Sequence, residues 1–577
     1  MTIVIFSKSV IGTHFAKSKL KKKTLIMRIT LQIVLILFLC FSVFANNYYL
    51  SNVAMNGDGS YSNPFNNFNS ALNAADPGDT VFVLPSTYNL TGSVGTVRNG
   101  NSSQRITVKA YVPNIKPVLT RSGKILNINH RYYTFDGLIM DGQFGSDDVI
   151  EVNGGGDFSH LNNCEIRNGL KDGIDLGDAD DVLIENCEIH HMLAGTSSNQ
   201  QDAHGIVATG EKNLTIRGCN IYYVTGDCFQ TDPNRGLPLW DDVLIENCML
   251  WTGPLPSGAA GWNAGEIPGE NAVDTKINGD SVNTSYRPKI TIRNVEAYGF
   301  VPGYISNRAA FNIKEKVDCK ISNVKVHDCE IGFRLRGPGS AGGAHVTIIN
   351  CIAYDNVKVF RTEDDLELLH IYNGTFDKSS TDVYFQNVSG GYDPNGLELN
   401  NSLFTGSKPS DASDPSNLTA NSSYFIDLPN HNYHLAGNSP AINSGVDISE
   451  VTEDFDGNPR VMGSYDVGAF ERMGSTGIEF INSIAEGFEL YDNFPNPFNP
   501  ETKISFSVRE PRRVTLQIYS ALGKKVLTVV DRYLVPGKYE YSWDGSGQNG
   551  QILSSGMYYY RIVAGDFIKT KKMLLIK

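Results

Sequence analysis

The chain is 577 residues long and carries 49 basic against 62 acidic side chains, a formal net charge of −13. Residues 1–45 contain seven basic residues and no acidic ones, so the remainder has 42 basic against 62 acidic residues and a charge of −20. Such an acidic body repels a phosphate backbone, which excludes general nucleic-acid binding. Glycine and β-branched residues are plentiful and long amphipathic helical stretches are missing, which excludes helical bundles and doubly wound α/β folds.

Residues 1–45 have the features of a secretory signal peptide, with translation starting at Met1 or Met27. From Met27, a basic residue precedes an apolar run of about 15 residues and the sequence Val43-Phe44-Ala45, after which we expect cleavage. This run is shorter than the ~20 residues that a membrane-spanning helix needs. The sequence therefore predicts a protein that is secreted or held at the outer cell surface, with no transmembrane anchor after cleavage.

An internal repeat is the strongest pattern in the chain. Its marker is the Asn or Gly of an apolar-x-Asn-Cys pattern, as in LNNCEI, LIENCEI and TIINCIA, and it recurs at steps of 23 to 47 residues. Each unit is too short to bury its own apolar face, so the units must stack on one another. Short β-branched strands without helices predict a right-handed parallel β-helix over residues 46–437, with coils about 4.8 Å apart. The markers are Gly137, Asn163, Asn186, Gly218, Asn247, Asn294, Asn323, Asn350, Asn373 and Asn401.

Eight cysteines follow the signal peptide, and five of them occupy the position after the marker. A residue that recurs in one repeat position is stacked on its copies by the fold. We therefore expect a column of mainly unpaired thiols rather than a disulfide framework.

Both ends of a β-helix need covering, because open strand edges invite aggregation. Residues 65–75 predict a short amphipathic N-terminal cap, and residues 438–472 predict a segment that closes the other end. The opening sequence YYLSNVAMNGDGSYSNPFNNFNSALNAADPGDTVFVLPSTY resembles secreted β-helix polysaccharide lyases, including the pectate lyase family nine group. The SPAINSG, DFDGNPR and DVGAFE stretches resemble the terminal segment of bacterial β-helix surface proteins.

The C-terminal region has a different pattern. Residues 473–485 are predicted to be a linker, and residues 486–577 contain alternating strands with Gly and Asn turns, typical of a small immunoglobulin-like β-sandwich. The motifs NFPNPFNP, SALGKKV, WDG and the basic end KKMLLIK resemble the C-terminal sorting domain of the type IX secretion system. The resemblance implies type IX secretion machinery as a partner and transport through the periplasm across the outer membrane.

Aligning the second strand of each unit identifies candidate binding residues. The buried apolar positions Ile174, Ile206, Phe229, Val273, Phe311, Phe333 and Phe360 place the next residue of each unit on the outer face. This alignment yields two outward columns that are dense in cations on an acidic body. The predicted substrate-binding residues are Gln230, Asn312, Arg334 and Arg361, and a second column contains Asp232, Lys276, Lys314, Arg336 and Glu363.

Trp251 and Trp262 lie in or beside the long excursion between Asn247 and Asn294. Tryptophan in Gly- and Pro-rich loops stacks on sugar rings or anchors the loop, and both roles fit here. A cationic floor with an aromatic wall suits a polyanionic sugar chain. We therefore interpret both tryptophans as substrate-binding residues.

The predicted function is binding of an acidic, uronate-containing polysaccharide and its cleavage by β-elimination. This chemistry needs a neutralised substrate carboxylate, a base for the C5 proton and a proton for the leaving oxygen. Arg334 and Arg336 are the candidates for neutralisation, and Arg336 is also a candidate proton donor. Hard oxygen ligands for Ca²⁺ are available from the carboxylates of Asp227, Asp232, Asp274 and Glu270.

Two lysines compete for the role of the base. The resemblance implies a lysine base beside an aspartate-bound calcium, and the matching position is Lys276. Neighbouring cations favour the neutral amine that a base needs, and Lys314 is expected one coil from both Lys276 and Arg336. We place Lys276 first, on condition that calcium is bound, and Lys314 second.

Two other functions remain open at this point. One is a non-catalytic, adhesin-like surface protein that binds glycans without cleaving them. The other is a glycosidase or epimerase on the same fold. We expect a monomer in either case, and the sequence does not name the sugar.

Overall fold

The structure is a computed structural model that describes residues 45–232, 240–277, 286–314, 316–337, 342–379, 382–460, 465–472, 478–482, 487–534, 536–547 and 551–577. The predicted signal peptide, except for Ala45, lies outside these residues. In the part of the chain that is described, no helix is long and apolar enough to cross a membrane.

Residues 47–420 form a coil that crosses three parallel sheets in the repeating order A, B, C. Within the described residues, sheet A consists of the strands Asn47–Leu50, Thr80–Val83, Ile106–Ala110, Tyr133–Asp136, His160–Asn162, Leu183–Glu185, Thr215–Arg217, Val243–Glu246, Lys289–Arg293, Asp318–Ser322, His345–Ile349, Leu368–Tyr372 and Leu397–Asn400. Sheet B consists of Thr87–Asn89, Val118–Thr120, Ile139–Gly145, Glu165–Gly169, Glu188–Met192, Asn220–Val224, Met249–Trp251, Glu296–Tyr298, Lys325–His327, Ile352–Tyr354, Thr375–Phe376, Leu403–Thr405 and Leu418–Ala420. Sheet C consists of Val94–Gly95, Leu126–Ile128, Ile150–Asn153, Ile174–Gly177, Ile206–Thr209, Phe229–Thr231, Asn271–Asp274, Ala309–Ile313, Ile331–Arg336, Lys358–Glu363 and Val383–Val388.

The register of sheet C agrees with the alignment made from the sequence. The apolar position of each coil pairs directly with that of the next, and all seven of these side chains are buried in the core. The aromatic members stack, with ring centroids 5.6 Å apart for Phe311 and Phe333 and 5.2 Å for Phe333 and Phe360. The predicted parallel β-helix is therefore confirmed.

The repeat marker is the corner between sheets A and B. Every Asn marker has a left-handed backbone conformation, with φ between 51° and 56°, and Gly137 and Gly218 have φ of 72° and 63°. Apart from Gly, Asn is among the residues that tolerate this conformation best, because its short polar side chain bonds locally. The corner residues also form hydrogen bonds between coils, as when Asn350 Nδ2 donates to Asn323 Oδ1 at 3.1 Å. Asn or Gly therefore recurs at the marker position because the backbone of the corner adopts a left-handed conformation.

The cysteines are free and buried, as predicted. Cys164, Cys187, Cys219 and Cys248 follow the corner on four successive coils, and the Sγ atoms donate to backbone carbonyls. The next two coils have Val295 and Val324 at this position, and the column ends with Cys351. Burial raises the pKa of Cys319 and Cys329, which are buried in other columns. These thiols pack as small apolar groups.

The N-terminal cap is a helix, Phe68–Ala74, that buries Phe68, Ala71 and Leu72 in the main core. The helix begins where the Asn67 side chain accepts a hydrogen bond from the backbone N–H of Ser70. The remaining short elements of the β-helix region are the hairpins Ala194–Thr196/Asn199–Gln201 and Phe425–Asp427/Asn432–Leu435 and the 3₁₀ turns Pro394–Gly396, Ser410–Ala412, Ser422–Tyr424 and Leu428–Asn430.

Residues 438–472 are the segment predicted to close the C-terminal end of the β-helix. Their described part packs along the side of the final coils, against the corner residues. Asn350, Asn373 and Asn401 donate to the backbone carbonyls of Glu453, Asp466 and Val446, respectively. The corner amides provide donors along this side, which is why the segment attaches there.

The C-terminal region contains two antiparallel sheets around its own apolar core. In the described residues the first sheet contains Ile478–Asn482, Gly537–Trp543, Thr502–Val508 and Glu489–Leu490, and the second contains Lys525–Leu534, Arg512–Ser520, Gly556–Ala564 and Phe567–Leu575. Residues 478–482, predicted to be linker, pair with the strand Gly537–Trp543 instead. Their IEFIN sequence is rich in β-branched and aromatic residues, which is typical of a strand.

The corner conformation can be tested at Asn186, where φ is 54°. We expect Asn186→Ala to lower the free energy of unfolding by about 1–2 kcal/mol, because a Cβ without a compensating polar group disfavours this conformation. Asn186→Gly loses the same side-chain hydrogen bond but tolerates the backbone, so it should be the more stable of the two. Urea denaturation measures the difference. A glycine variant less stable than the alanine variant would contradict the assignment of the corner.

Candidate functional site

Five basic side chains lie together on the outer face of sheet C. This cationic cluster consists of Lys276, Lys314, Arg334, Arg336 and Arg361. Lys276 and Lys314 follow two neighbouring strands of sheet C, and the arginines lie on the next two. Register pairs Asn312 with Arg334 and Arg334 with Arg361. In-register stacking therefore collects cations that are up to 85 residues apart in the chain.

A cleft lies over the cationic cluster. Its floor includes Asp274, Lys276, Asn312 and Lys314, and its wall includes the segment 305–308. The backbone of the two lysines is fixed by buried threonines of sheet C. The N–H of Lys276 donates to Thr231 Oγ1 at 2.7 Å, and the N–H of Lys314 donates to Thr275 Oγ1 at 2.8 Å.

The two lysines have different partners. Lys314 Nζ lies 2.7 Å from Asp274 Oδ2, whereas Lys276 Nζ lies 3.8 Å from the same atom and donates to Gln230 Oε1 at 2.5 Å. The Lys276 side chain is 33% exposed and that of Lys314 is 16% exposed. Lys276 is thus the more accessible amine and has the weaker contact with a carboxylate.

Gln230 and Asn312, predicted to face substrate, are only 4% and 3% exposed. Gln230 lies beneath Lys276, which takes its carbonyl oxygen as an acceptor. Asn312 Oδ1 and the neighbouring Asp274 Oδ1 are buried and have no hydrogen-bond partner among the described residues. Buried acceptors are normally satisfied. Two such acceptors lie side by side in the floor of the cleft, with almost no surface exposed to a ligand.

The three arginines of the cationic cluster share one carboxylate, that of Glu363. Arg334 Nε and Nη2 each donate to it at 3.1 Å, Arg336 Nε lies 3.1 Å away, and Arg361 Nε contacts Oε1. Burial of Glu363 opposes ionisation, but the guanidinium groups of Arg334 and Arg361 outweigh it and lower the pKa. Arg334 and Arg336 are therefore not free to bind a substrate carboxylate without competition from Glu363.

An acidic group lies at the opposite end of the cleft. Asp227 is buried, and burial together with the charge of Asp274 raises its pKa. Burial and the charges of Asp202 and Asp274 raise the pKa of Glu270. His204 lies between Asp172 and Asp227, with its ring nitrogens 2.8 Å and 3.8 Å from their carboxylates.

His204 supplies positive charge inside this acidic group. Burial alone would lower its pKa, but the hydrogen bond and charge of Asp172 raise the pKa to about 9. Its imidazolium thus partly compensates the carboxylates at neutral pH.

Two of the predicted calcium ligands, Asp227 and Asp274, have polar partners of their own. Asp227 Oδ1 accepts from the backbone and the side chain of Asn271, at 3.1 and 2.7 Å, and Asp274 Oδ2 pairs with Lys314. Asp232 follows the strand Phe229–Thr231, and its N–H donates to Ala208 O at 2.7 Å. Among the described residues, no three His, Cys, Asp or Glu side chains are arranged to hold a metal ion. Asp227 Oδ1 and Asp274 Oδ2 thus already have partners, which a calcium ion would have to displace.

Trp251 does not contribute to the cleft. It ends the strand Met249–Trp251 of sheet B, where its ring stacks between Tyr222 and Tyr298 at centroid distances of 4.6 and 5.6 Å. This stack continues from His190 to His431 along the outer face of sheet B. The prediction that Trp251 binds substrate in the groove is wrong, because its repeat position belongs to a different sheet.

Trp262 is also unavailable to a ligand. It is 2% exposed, packs with Leu193 and Leu255, and its indole N–H donates to Ala194 O at 3.3 Å. It anchors its loop, which was the other role considered for it. Trp240 is fully buried and donates to Lys276 O at 2.8 Å, so it positions the backbone of that lysine.

Sequence reasoning missed several contacts in and beside the cleft: Glu363 as the partner of the arginines, His204 between the acidic side chains, and Asn307 and Arg308 on the wall. Glu363 stands in the same column as Arg336, but the column did not show that all three arginines contact it. Asn307 and Arg308 belong to a loop between two sheets, where the repeat gives no register.

Two family models match parts of this chain. Residues 48–269 match the Pel9A-like, right handed beta helix region, and residues 496–566 match the FlgD Ig-like domain. These matches agree with the β-helix and with the immunoglobulin-like sandwich. The first match ends before Lys276, so the cationic cluster lies outside it. No curated protein matches this chain.

Several solved structures are similar in fold. Pectate lyase Pel9A has 16% sequence identity and a TM-score of 0.45, and the alignment covers 74% of this chain and 96% of that one. A rhamnogalacturonan lyase has 13% sequence identity and a TM-score of 0.43, and the alignment covers 67% of this chain and 91% of that one. The A-module of the Azotobacter vinelandii mannuronan C-5 epimerase AlgE4 has 15% identity and a TM-score of 0.39, with 57% of this chain and 85% of that one covered. At this identity the similarity does not identify an activity.

The role of Glu363 can be tested by its pH dependence. Its folded-state pKa is lowered, so its stabilising effect is complete above the unfolded value of about 4.3 and is lost as the pH falls through the folded pKa. We expect Glu363→Gln to cost about 1–3 kcal/mol at pH 7, because three guanidinium groups lose a charged partner. The difference from the wild type should shrink as the pH falls below about 4.

Thermal unfolding across this pH range measures the effect. The matched control is Glu450→Gln, an exposed carboxylate, which should have no such pH-dependent difference. A difference between Glu363→Gln and the wild type that stays constant down to low pH would contradict the assignment.

Proposed function

We propose that the cleft on sheet C binds an acidic, uronate-containing polysaccharide and cleaves it by β-elimination. The observation that carries the proposal is the cationic cluster on a body of charge −20, lining a cleft on sheet C. Cations receive the carboxylates of such a chain. The match of residues 48–269 to the Pel9A-like model supports this assignment.

Lys276 is the proposed base. In β-elimination the base removes the C5 proton, the C4–O bond breaks, a C4–C5 double bond forms and the leaving oxygen takes a proton. A lysine acts as a base only as the neutral amine. Lys276 is the more exposed lysine and its contact with Asp274 is the longer one, at 3.8 Å.

Lys314 is the proposed partner of the substrate carboxylate. The Lys314 Nζ atom is held 2.7 Å from the carboxylate of Asp274. A fixed ammonium suits neutralisation of the uronate and does not suit proton abstraction. Arg336 lies in the same column and is the proposed donor to the leaving oxygen, with the substrate competing with Glu363 for Arg334 and Arg336.

Kinetics on two variants test these roles. Lys276→Ala should lower kcat by about 10²–10⁴-fold, the usual contribution of a positioned base. Lys314→Ala should mainly raise KM, because the variant loses a contact with the bound carboxylate. The ultraviolet absorbance of unsaturated uronides reports the reaction on polygalacturonate, alginate and glucuronate polymers, with and without EDTA. The EDTA arm tests the calcium prediction separately.

Lys320→Ala is the matched control, since Lys320 is an exposed lysine on the outer face of sheet A and should leave both constants unchanged. Near-native rates in both site variants would show that the cleft is assigned wrongly. Glycan binding without product would favour the adhesin-like alternative. New reducing ends without ultraviolet absorbance would favour a glycosidase, and a changed uronate composition without shortening would favour an epimerase.

We further propose that the C-terminal sandwich is a type IX sorting domain that directs the protein to the outer cell surface or the medium. Its separate apolar core supports a role apart from the cleft. The motifs that resemble the sorting domain begin with NFPNPFNP at residue 493, inside this sandwich.

A truncation after residue 472 tests this assignment, because it removes the whole sandwich including the strand Ile478–Asn482. In a host with type IX secretion, the truncated chain should stay in the periplasm and keep its activity. Fractionation with an immunoblot measures its location. Normal delivery of the truncated chain to the surface would contradict the proposal.

A further inference from the structure

The cationic cluster explains how a carboxylate is held. It does not explain how an acidic polysaccharide is distinguished from a polyanion without sugar rings. Sugar rings have apolar faces, and an exposed aromatic ring beside the cations would bind them. Of the two tryptophans predicted for that role, Trp251 lies in the aromatic stack on sheet B and Trp262 is buried beneath its own loop. Tyr304 is an aromatic side chain beside the cleft, and it is 54% exposed.

Tyr304 lies in the connection between the strands Glu296–Tyr298 of sheet B and Ala309–Ile313 of sheet C. The three residues that follow it, Ile305, Ser306 and Asn307, line the cleft. Asn307 Oδ1 also accepts a hydrogen bond from Arg361 Nη1 at 2.5 Å. The loop that carries Tyr304 is thus joined directly to the cationic cluster.

The loop is anchored by a buried cation. Arg308 is 1% exposed, and its Nη1 and Nη2 atoms each donate to Ile267 O at 3.3 Å. Its guanidinium lies directly under Gly303, where an added Cβ would be 2.9 Å from Cζ. Because Gly303 has no side chain, its backbone lies close to the Arg308 guanidinium. The buried arginine thus supports the residue that precedes Tyr304.

Trp262 supports the tyrosine from the side. The rings of Tyr304 and Trp262 are 6.2 Å apart at an interplanar angle of 72°, an edge-to-face contact. Trp262 is itself held by its hydrogen bond to Ala194 O and by Leu193 and Leu255. A ring with such support loses less conformational freedom on binding than a ring on an unsupported loop.

We propose that Tyr304 is the aromatic platform that stacks on a sugar ring of the polysaccharide and makes the cleft selective for sugar polyanions. The inference rests on the proposed function and adds its specificity-determining residue. The cationic cluster recognises negative charge of any kind, whereas Tyr304 recognises the ring between the charges. The anchoring by Arg308 and the contact with Trp262 hold the platform at the edge of the cleft.

Binding of two polyanions separates these roles. Polygalacturonate and alginate carry carboxylates on sugar rings, whereas inorganic polyphosphate carries charge without rings. We expect Tyr304→Ala to weaken polyuronate binding about three- to tenfold and to leave polyphosphate binding unchanged. Tyr304→Phe should keep the wild-type affinity, because it keeps the ring. Lys314→Ala should weaken binding of both polymers, since it removes charge.

Calorimetry or affinity electrophoresis with the full-length protein measures these affinities, and circular dichroism checks folding. Tyr61→Ala is the matched control, because Tyr61 is 58% exposed in the N-terminal region of the β-helix. Unchanged polyuronate affinity in Tyr304→Ala overturns the inference, as does an equal loss for polyphosphate. A wild-type protein that binds no polyuronate overturns the proposed function and this inference together.

Discussion

In-register stacking of parallel coils is the constraint on which the rest of this molecule depends. Each side chain of a sheet has its equivalent in the next coil about 4.8 Å away, so its neighbours are set by its position in the repeat. Inside, this rule stacks Phe311, Phe333 and Phe360. Outside, the same rule brings five cations from four successive coils into one surface. The core and the site are therefore two faces of a single register.

Stacking of like charges is unfavourable unless carboxylates stand among them. Two buried carboxylates do so here: Asp274 contacts both lysines of the cationic cluster, and Glu363 contacts all three arginines. Five cations therefore face two buried carboxylates within the cluster, although Glu270 also lines the cleft and Asp364 lies 3.8 Å from Arg336. The proposed binding of a polyanion rests on this local excess of cations on a protein that is acidic elsewhere.

Sequence reasoning succeeded where the repeat alone determines position. The apolar column from Ile174 to Phe360 and the outward cations follow from counting residues within each unit. It failed where a side chain left the repeat or belonged to another sheet. Trp251 was assigned to the groove although its position after the corner places it on sheet B, and Trp262 lies in an excursion whose path the repeat does not specify.

The polar contacts of the site were the least predictable part. The alignment placed Glu363 next to Arg336 but could not show that Arg334 and Arg361 turn toward the same carboxylate. The linker was misread for a related reason, because five residues are a weak signal for a strand until the strand Gly537–Trp543 is available to pair with them. Side-chain rotamers and partners distant in sequence carry no periodic signature.

The free cysteines have a consequence for the history of each molecule. All eight are buried in the folded coil, where no oxidant reaches them, but all eight are exposed in the unfolded chain. In an oxidising compartment, folding competes kinetically with thiol oxidation, since a single wrong cross-link would prevent the coils from stacking. Rapid stacking of successive coils therefore protects the thiols from oxidation. Its yield should depend more on the redox conditions met during folding than on those met afterwards.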